Sequence, residues 1–518
     1  MNLITNTHKI MAKTTIAEQE NLSSYPSSES FFSPSELYPE YPFADIDIGP
    51  NSDTVCVGGG SKNNSKSSNY IYSLVRRVLF EAGLDAAHYG TAQWNPMGEW
   101  IKPGQTVLLK PNWVDHKNNN PNVDDNLACL VTNPSVVRVV IDYVYIALKG
   151  NGRIIVADAP MQQCDLQQMF VTVGYDKLFD FYRNVVGVEI EVQDLRKYSI
   201  ASISRGIFTA PSMTENSAGS FVVQLDSLSM HAENDNINPS YKVSEYRQED
   251  TAYYHHDNKH AYEVSKTPLL ADVIINIPKP KTHRLAGMTA SIKNMVGITY
   301  EKSSLPHRKV GDAEHGGDTY KKKSIWKEWM HKFDEKKTSA SLQRKYHKAW
   351  MDDKIMKMCY MLGWLTTGDK YRIGSWYGND TIWRTAIDLN YLLLYADKEG
   401  KIKDTPQRKV ITLADMVVCG QGAGPVSPHP KPLGMVMLAD NSMLFDRVMC
   451  EIMGFDYHKI KMFNSDTALH KMGYESVDAL NKETVIYNGQ SFSVDSFPFQ
   501  QKWAFDAHPC WIGNIEKR

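Results

Sequence analysis

Apolar residues recur along this chain in two alternating patterns: short continuous runs, and longer stretches with helical spacing. The runs TVLLK at 106–110 and RIIVAD at 153–158 are typical of buried strands. Between them, SVVRVVIDYVYIALKG at 135–150 has the spacing of a helix, which Asn133 would cap and Pro134 would begin. Strand, helix and strand in this order predict a β-α-β unit with two parallel strands.

The same alternation predicts further elements along the chain. Four more apolar runs indicate strands: VEIEVQDL at 188–195, ADVIINIP at 271–278, KVITLAD at 409–415 and LGMVMLAD at 433–440. Helical spacing recurs in YIYSLVRRVLFEAG at 70–83, GMTASIKNMVGI at 287–298, WRTAIDLNYLLLYAD at 383–397 and NSMLFDRVMCEIMGF at 441–455, and GQGAGPVSPHPKP at 420–432 indicates a loop. Because the strands lack polar alternation, we predict an α/β fold: a mostly parallel, Rossmann-like layered sheet with helices on both faces, plus a helical insertion.

Composition divides the 518 residues into four parts. A stretch rich in Ser, Pro and Tyr predicts a disordered or loosely docked N-terminal arm over 1–45. We place a first α/β portion, with a polar mixed insertion, at 46–265. A second portion follows at 266–465 and includes a helical insertion at 318–365, and residues 466–518 are a C-terminal extension.

Charge and cysteine content argue against several classes of protein. Fifty-seven basic and 59 acidic residues give a net charge of −2, which argues against a nucleic-acid partner. Seven cysteines without a C-x-x-C pair argue against an iron–sulfur cluster or a zinc ribbon and favour a reducing compartment. Since the sequence contains neither a membrane-spanning run nor a secretion signal, we expect a cytoplasmic protein.

Polar side chains follow the predicted strands where each strand ends. The carboxyl ends of parallel strands meet at one edge of a sheet, where ligands bind in such folds. The residues that we expect to contact a ligand there are Lys110, Asn112, Lys279, Asp415, Gly422, Gly424, Lys431 and Asp446. Lysines and glycine N–H groups suit an anion such as a phosphate or carboxylate, and aspartates suit a base or a metal ligand. Tight loops, helix caps and surface positions are the structural alternatives.

The segment PKPKTHRLAGMTASIKNMVG at 278–297 concentrates charge beside a buried strand. Charge in such a place is costly unless it is paired or binds a ligand. His283 is a candidate acid or base, and Lys293 is a candidate anion anchor, electrophile or covalent attachment point. With Lys281 and Asp158 they form the predicted catalytic set. Salt bridges to neighbouring aspartates are the alternative.

Two more histidines, His307 and His315, lie in LPHRKVGDAEHGGDTY at 305–320. With His283 they predict a site for a divalent metal, the one cofactor that the sequence suggests. Their spacings of 24 and 8 residues match no short metal motif. The glycines of the same segment make a mobile lid an alternative.

Two other segments have more than one interpretation. Residues 321–350 hold ten Lys or Arg with Trp and Phe among them, which fits either a basic surface for a membrane or an acidic partner, or a solvated hairpin packed by its aromatics. The glycine loop at 58–69 stands between a short apolar run and a helical pattern, as in a phosphate cradle. It lacks the G-K-[ST] ending, so a flexible loop is the alternative.

Eight motifs, in their order, resemble the family called domain of unknown function 362. They are VLLKPN, TNPSVVRVVIDY, IIVADAP, INIPKPKTH with ASIKNMVG, DLNYLLLYAD, ITLADMVV, GPVSPHPKPLGMVMLAD and FDRVMCEIMGFD, between about residues 100 and 460. Many relatives carry a ferredoxin-like domain with C-x-x-C-x-x-C spacing, which this sequence lacks, so the resemblance implies a subgroup without that cluster. LPHRKVGDAEHGGD resembles a subgroup found among bacterial surface-polysaccharide genes.

A fainter resemblance links the segment from His283 to Lys293 with nickel-pincer lactate racemases. In that family a histidine acts as acid or base and a lysine anchors the pincer nucleotide. The resemblance implies these roles for His283 and Lys293, with His307 or His315 at the metal. An Ala-Ser pair stands where that family has two glycines.

Three functions follow from these observations. We favour an enzyme that acts on a small phosphorylated or carboxylated substrate, in surface-polysaccharide or cofactor metabolism, with isomerase or racemase chemistry as its most specific form. The alternatives are a non-enzymatic ligand-binding or membrane-docking accessory protein and a metal-cofactor-dependent racemase. The sequence leaves the substrate and the oligomeric state open.

Overall fold

The computed structural model has a mixed β-sheet at its centre. It describes residues 13–19, 22–25, 71–91, 93–123, 127–204, 207–209, 211–214, 218–244 and 247–517. The strands of the main sheet are β1 (Lys13–Glu18), β2 (Thr106–Lys110), β3 (Arg153–Asp158), β4 (Glu191–Asp194), β5 (Val273–Asn276), β6 (Lys281–His283), β7 (Gly287–Thr289), β8 (Lys409–Ala423), β9 (Ser427–Ala439), β10 (Thr484–Tyr487) and β11 (Gln490–Ser493). The glycine loop at 58–69 lies outside the described residues.

Five neighbouring strands form the parallel half of this sheet. Their order is β8–β5–β2–β3–β4, and each neighbouring pair in it is parallel. Beyond β8 the order continues β9–β1–β10–β11, in which β1 and β10 are the parallel pair. The fold is therefore α/β with a large, mostly parallel mixed sheet, as the apolar runs predict.

Helices pack on both faces of the sheet because successive strand residues point to opposite sides. Val107 and Leu109 of β2 pack in one hydrophobic core, which includes residues of the first two helices. Leu108 packs in a second core, with Leu389 and Leu392 of a later helix. The helices are α1 (Ile71–Glu81), α2 (Pro134–Leu148), α3 (Leu166–Val173), α4 (Tyr175–Phe181), α5 (Thr251–Tyr254), α6 (Lys266–Leu270), α7 (Ser291–Asn294), α8 (Ile325–Leu342), α9 (Tyr346–Thr367), α10 (Ile382–Tyr395), α11 (Ser442–Met453), α12 (Asp466–Lys471) and α13 (Val477–Asn481).

The predicted cap of α2 is present. The side chain of Asn133 accepts a hydrogen bond from the N–H of Ser135 at 2.9 Å, and Pro134 is the first helical residue. The C-cap is Lys149, which adopts a left-handed conformation with φ of 52°. The sequence predicts the start of this helix correctly, and the helical stretch expected to reach 150 ends at Leu148.

The glycine-rich stretch at 420–432 is not a loop, and this prediction is wrong. β8 and β9 form one long hairpin, paired from Thr412 opposite Ala439 to Ala423 opposite Ser427. Glycines and prolines weaken a strand but do not prevent one that pairs along its whole length with a neighbour. Gly422 and Gly424 consequently lie at the far end of a hairpin.

Two other segments differ from the simple sequence pattern. Within the predicted arm at 1–45, Lys13–Glu18 is a strand held between β9 and β10, and 1–12, 20–21 and 26–45 lie outside the described residues. GMTASIKNMVGI, expected as one helix, contains the strand Gly287–Thr289, the four-residue helix α7 and a 3₁₀ turn at Met295–Ile298. In both cases pairing with distant segments decides the local structure, and sequence periodicity does not report such pairing.

Smaller elements flank the main sheet. The polar region after β4 contains the short pairs Tyr198–Ser199 with Ser212–Met213 and Ser202–Ser204 with Ile207–Phe208, a three-stranded sheet of His255–His256, Lys259–Ser265 and Ser220–Gln224, and the pair Tyr241–Lys242 with Arg308–Lys309. α8 and α9 form a helical hairpin within the predicted insertion. Among the described helices, none is long and apolar enough to span a membrane.

Candidate functional site

A cavity of about 180 Å³ lies where the parallel strands end. Residues after β2 and β3 line it on one side, and β6, β7 and α7 line it on the other. A wider cleft of about 1,340 Å³ adjoins it, because Met161 and Arg284 line both spaces. The helical hairpin of α8 and α9 forms part of the wall of that cleft.

The structure brings six of the predicted site residues to this one cavity. They are Asn112, Asp158, Lys281, His283, Lys293 and His307. These residues come from β2, β3, β6, α7 and a later turn, so they are distant in sequence and meet only in the fold. The segment 278–297, singled out for its charge, supplies three of them.

A close approach of two backbones positions β6. This strand pairs with β7 on one side and with β8 on the other. A Cβ atom on Gly424 would lie 2.0 Å from the carbonyl oxygen of Thr282, in the middle of β6. Glycine at this position therefore lets the β8–β9 hairpin support the strand that carries Lys281 and His283.

Unpartnered polar atoms gather at the cavity. The ammonium group of Lys281 is buried and has no hydrogen-bond partner among the described residues. The same holds for Oε1 and Nε2 of Gln162 and for Oγ1 of Thr289, which also line the cavity. Because buried polar groups are nearly always hydrogen-bonded, three such side chains around one space point to a bound ligand or ordered water.

The basic side chains at the cavity have lowered pKa values. Burial, with Lys279 nearby, lowers the pKa of Lys281 to about 7. Burial, together with Lys302 and Arg284, lowers the pKa of Lys293 to about 7. Burial also lowers the pKa of Lys302 to about 8. A bound anion would reverse these shifts by stabilising the protonated amines.

His283 and His307 present opposite hydrogen-bonding character. Nδ1 of His283 accepts hydrogen bonds from the N–H groups of Leu285 and Ala286, both at 3.1 Å, so Nε2 carries the proton. Nδ1 of His307 lies 2.9 Å from the carbonyl oxygen of Leu305 and must donate to it, so Nε2 keeps its lone pair. Burial is the main cause that lowers both pKa values, that of His307 to about 3. Both rings are therefore neutral at pH 7, one as a donor and one as an acceptor.

Asp158, the acidic residue among the described lining residues, is already neutralised. Its Oδ1 accepts a hydrogen bond from Lys110 Nζ at 2.7 Å, and its Oδ2 accepts one from the N–H of Trp113 at 2.7 Å. A Cβ on Gly297 would lie 1.9 Å from Oδ1, so only glycine fits over this pair. The cavity consequently keeps an excess of basic groups, which favours an anionic ligand.

Replacing Lys110 with methionine should lower the free energy of unfolding by about 3–5 kcal/mol, because it leaves a buried carboxylate without its partner. Urea unfolding measures this change. The double variant Lys110→Met/Asp158→Leu is the control and should regain a large part of the loss. If the double variant is as unstable as Lys110→Met alone, loss of the ion pair is not the cause of the lower stability.

Several predicted ligand residues have structural partners instead. Lys279 forms a buried ion pair with Asp415 at 2.6 Å, and the hydroxyl of Tyr25 donates to the same carboxylate. Asp446 accepts a hydrogen bond from the N–H of Ser291 at 2.6 Å, at the start of α7, and burial raises its pKa to about 8. These residues support the elements around the cavity and are not among its lining residues.

The remaining predicted residues also lie away from the cavity. Gly422 and Lys431 belong to the ladder between β8 and β9. His315 is exposed and pairs with Asp312 at 2.7 Å. The three histidines proposed for a metal therefore do not converge, and His283 offers no lone pair because both of its nitrogens are committed.

A different group in the described part of the chain has the composition of a metal site. Ligand atoms of Asp115, His116 and Cys164 lie within 4.8 Å of one another, in the wall of the wide cleft. Its polar atoms already have partners: the N–H of Asp165 donates to Nδ1 of His116 at 3.1 Å, and Gln163 donates to Asp115 at 2.9 Å.

A pincer nucleotide does not fit the small cavity. Its volume of about 180 Å³ is below the ~300–1,000 Å³ of pockets that enclose drug-sized ligands. Lys293 lines the cavity, but His283 lacks the free lone pair that a base or a metal ligand needs. The residues present therefore do not support a nucleotide-bound nickel here.

Sequence reasoning did not select Gln162, Thr289 and Lys302, three polar residues of the cavity lining. Gln162 lies four residues beyond the end of β3, in the stretch where polar residues that follow a strand are candidates for the site. Thr289 and Lys302 carry no comparable signal. Lys302 reaches the cavity from a 3₁₀ turn and donates to the carbonyl oxygen of Ala159 at 2.8 Å, a contact that depends on the whole fold.

Comparison with known proteins gives one result. A family model described as Domain of unknown function (DUF362) matches residues 107–232 and 230–451. The matched ranges contain every strand that lines the cavity, as well as α7 and the helical hairpin. No curated protein and no solved structure matches the chain. Since the family model covers well over half of the sequence, the chain belongs to the family described as domain of unknown function DUF362.

Proposed function

We propose that the cavity binds a small anionic metabolite and that the protein is an enzyme acting on it. The observation that carries this proposal is the buried, unpartnered ammonium group of Lys281 beside the unpartnered polar atoms of Gln162 and Thr289. A carboxylate or phosphate bound there would supply the acceptors that Lys281 Nζ, Gln162 Nε2 and the Thr289 hydroxyl lack. Lys293 and Lys302, which also line the cavity, would add positive charge.

The neighbouring histidines suggest a proton transfer next to the anionic group. The lone pair on Nε2 of His307 would accept a proton from a carbon beside a carboxylate or carbonyl, since a bound anion would raise the low pKa of this ring. The N–H of His283 would donate a hydrogen bond to the oxygen where negative charge develops. A proton returned to the other side of that carbon would give an isomerase or racemase.

The size of the cavity limits the substrate. About 180 Å³ accommodates roughly six water volumes, or a metabolite with few carbon atoms. A larger substrate would have to extend past Met161 and Arg284 into the wide cleft. The substrate class that fits best is a short carboxylic acid or phosphate ester, free or as the end of a longer molecule.

The test combines calorimetric binding of short carboxylates and phosphate monoesters with exchange of their carbon-bound hydrogens in heavy water, followed by NMR. Lys293→Ala should weaken binding by roughly 10- to 100-fold, since it removes a hydrogen bond from a charged donor. His283→Ala should bind the same compound but slow exchange by about 100-fold.

Lys482→Ala is the matched control for these variants, because Lys482 is exposed and follows α13, away from the cavity-lining residues. It should behave as the unaltered protein in both measurements. If His283→Ala and Lys293→Ala both left binding and exchange intact, the cavity would not be the active site.

A further inference from the structure

The helical hairpin exposes an apolar stripe along α9. Six large apolar side chains of this helix are between 48% and 67% exposed: Trp350, Met351, Met358, Met361, Trp364 and Leu365. Their spacing places them on one side of the helix over about 22 Å. The opposite side is buried against α8, where Met356 and Cys359 pack with Met330.

Lysines accompany this stripe. Lys354 and Lys357 are exposed on the same face. Lys354 Nζ lies 3.6 Å from the ring centroid of Trp350, and Lys357 Nζ lies 2.5 Å from a carboxylate oxygen of Asp353. From 343 to 368, a fully described range, no acidic side chain is exposed; Asp352 and Asp353 are both buried. Large exposed apolar patches are uncommon on soluble monomers and usually mark an interaction surface.

We propose that this stripe docks on a membrane surface that carries anionic lipid. Tryptophans at both ends, methionine and leucine between them, and lysines on the same face are the pattern of a helix that lies in the interface of a bilayer. The apolar side chains would enter the acyl boundary, and the lysines would reach the lipid phosphates. An acidic protein or a second copy of the chain is the competing occupant.

Docking would place the candidate active site close to the bilayer. Asp353, Met356 and Lys357 of α9 line the wide cleft, and that cleft shares Met161 and Arg284 with the small cavity. The helix that meets the membrane is thus also a wall of the route to the cavity. The docking itself is independent of the proposed enzyme activity.

Co-sedimentation with vesicles tests the proposal on the full chain. Vesicles of phosphatidylcholine with about 30% phosphatidylglycerol should bind the protein, and phosphatidylcholine alone should bind it at least tenfold more weakly. Binding to the anionic vesicles should fall as salt rises, because the Debye length shortens. Met358→Glu/Met361→Glu should lower the partition coefficient by tenfold or more.

Two further variants make the result specific. Val171→Glu adds one negative charge at another exposed apolar position, on α3, and should bind as the unaltered protein does. Lys354→Gln/Lys357→Gln keeps the apolar stripe and should weaken binding mainly at low salt.

Three outcomes would overturn the proposal. The first is that the protein does not bind anionic vesicles, and the second is that Val171→Glu loses as much vesicle binding as Met358→Glu/Met361→Glu does. The third is that the protein is a dimer, which Met358→Glu/Met361→Glu dissociates while vesicle binding is unchanged. The last outcome would assign the stripe to a second copy of this chain.

Discussion

Replacing Lys281 with methionine should stabilise the protein and at the same time abolish anion binding. Burial holds the pKa of Lys281 near 7, against an ordinary value of 10.5. Between these two pH values the unfolded chain binds a proton that the folded chain does not, so this lysine makes the folded state less stable as pH falls. Its removal should therefore raise the free energy of unfolding at pH 7 by roughly 2–4 kcal/mol.

Urea unfolding at several pH values measures this effect. The gain from Lys281→Met should grow as pH falls from about 10.5 to 7 and then stay constant, since below pH 7 both states are protonated. Lys482→Met, at an exposed position, should leave stability unchanged. If Lys281→Met is less stable than the unaltered protein, Lys281 has a stabilising partner and is a structural residue, not a ligand-binding one.

A residue whose removal stabilises the fold is one that the fold does not need. Other buried lysines stabilise the fold. Lys279 with Asp415 and Lys110 with Asp158 hold the sheet together as ion pairs. Lys281, next to them along the chain and across the sheet, has no such partner among the described residues. This contrast between neighbouring lysines separates a candidate ligand group from structural ones.

Sequence alone predicts the parallel strands and the edge where the site lies. Continuous apolar runs predict β2, β3, β5 and the start of β8. Polar residues that follow such strands are expected at one edge of the sheet, and of these Asn112 and Asp158 line the cavity. Lys279 and Asp415 do not line it, because they pair with each other, which their positions in the sequence do not reveal. Their mutual neutralisation is a property of strand order, which a single sequence does not specify.

The histidine assignments show a second limit of sequence reasoning. The sequence identifies His283 as a candidate acid, base or metal ligand and His307 as a candidate metal ligand. Their roles diverge because of local backbone groups: two N–H donors fix one tautomer in His283, and a carbonyl oxygen fixes the other in His307. Such contacts depend on turn geometry at 283–286 and 305–307, which residue type does not encode.

Anion affinity should fall steeply as pH rises, which is the second large effect that we expect. Lys281 and Lys293, with pKa values of about 7, are mostly protonated at pH 6 and mostly neutral at pH 9. If the anion binds the protonated form of each, each lysine contributes up to roughly 100-fold across this range. The bound anion raises both pKa values, so binding near pH 8 should take up between one and two protons.

Calorimetry with sulfate and oxalate in buffers of different ionisation enthalpy measures this proton uptake directly, because neither anion changes charge between about pH 6 and pH 9. Lys293→Met should remove close to half of the uptake and flatten the pH dependence, while Lys482→Met should change neither. Proton uptake near zero at pH 8 with undiminished affinity would show that the anion binds elsewhere. Uptake that stays undiminished in Lys293→Met would instead assign the anion to Lys281 alone.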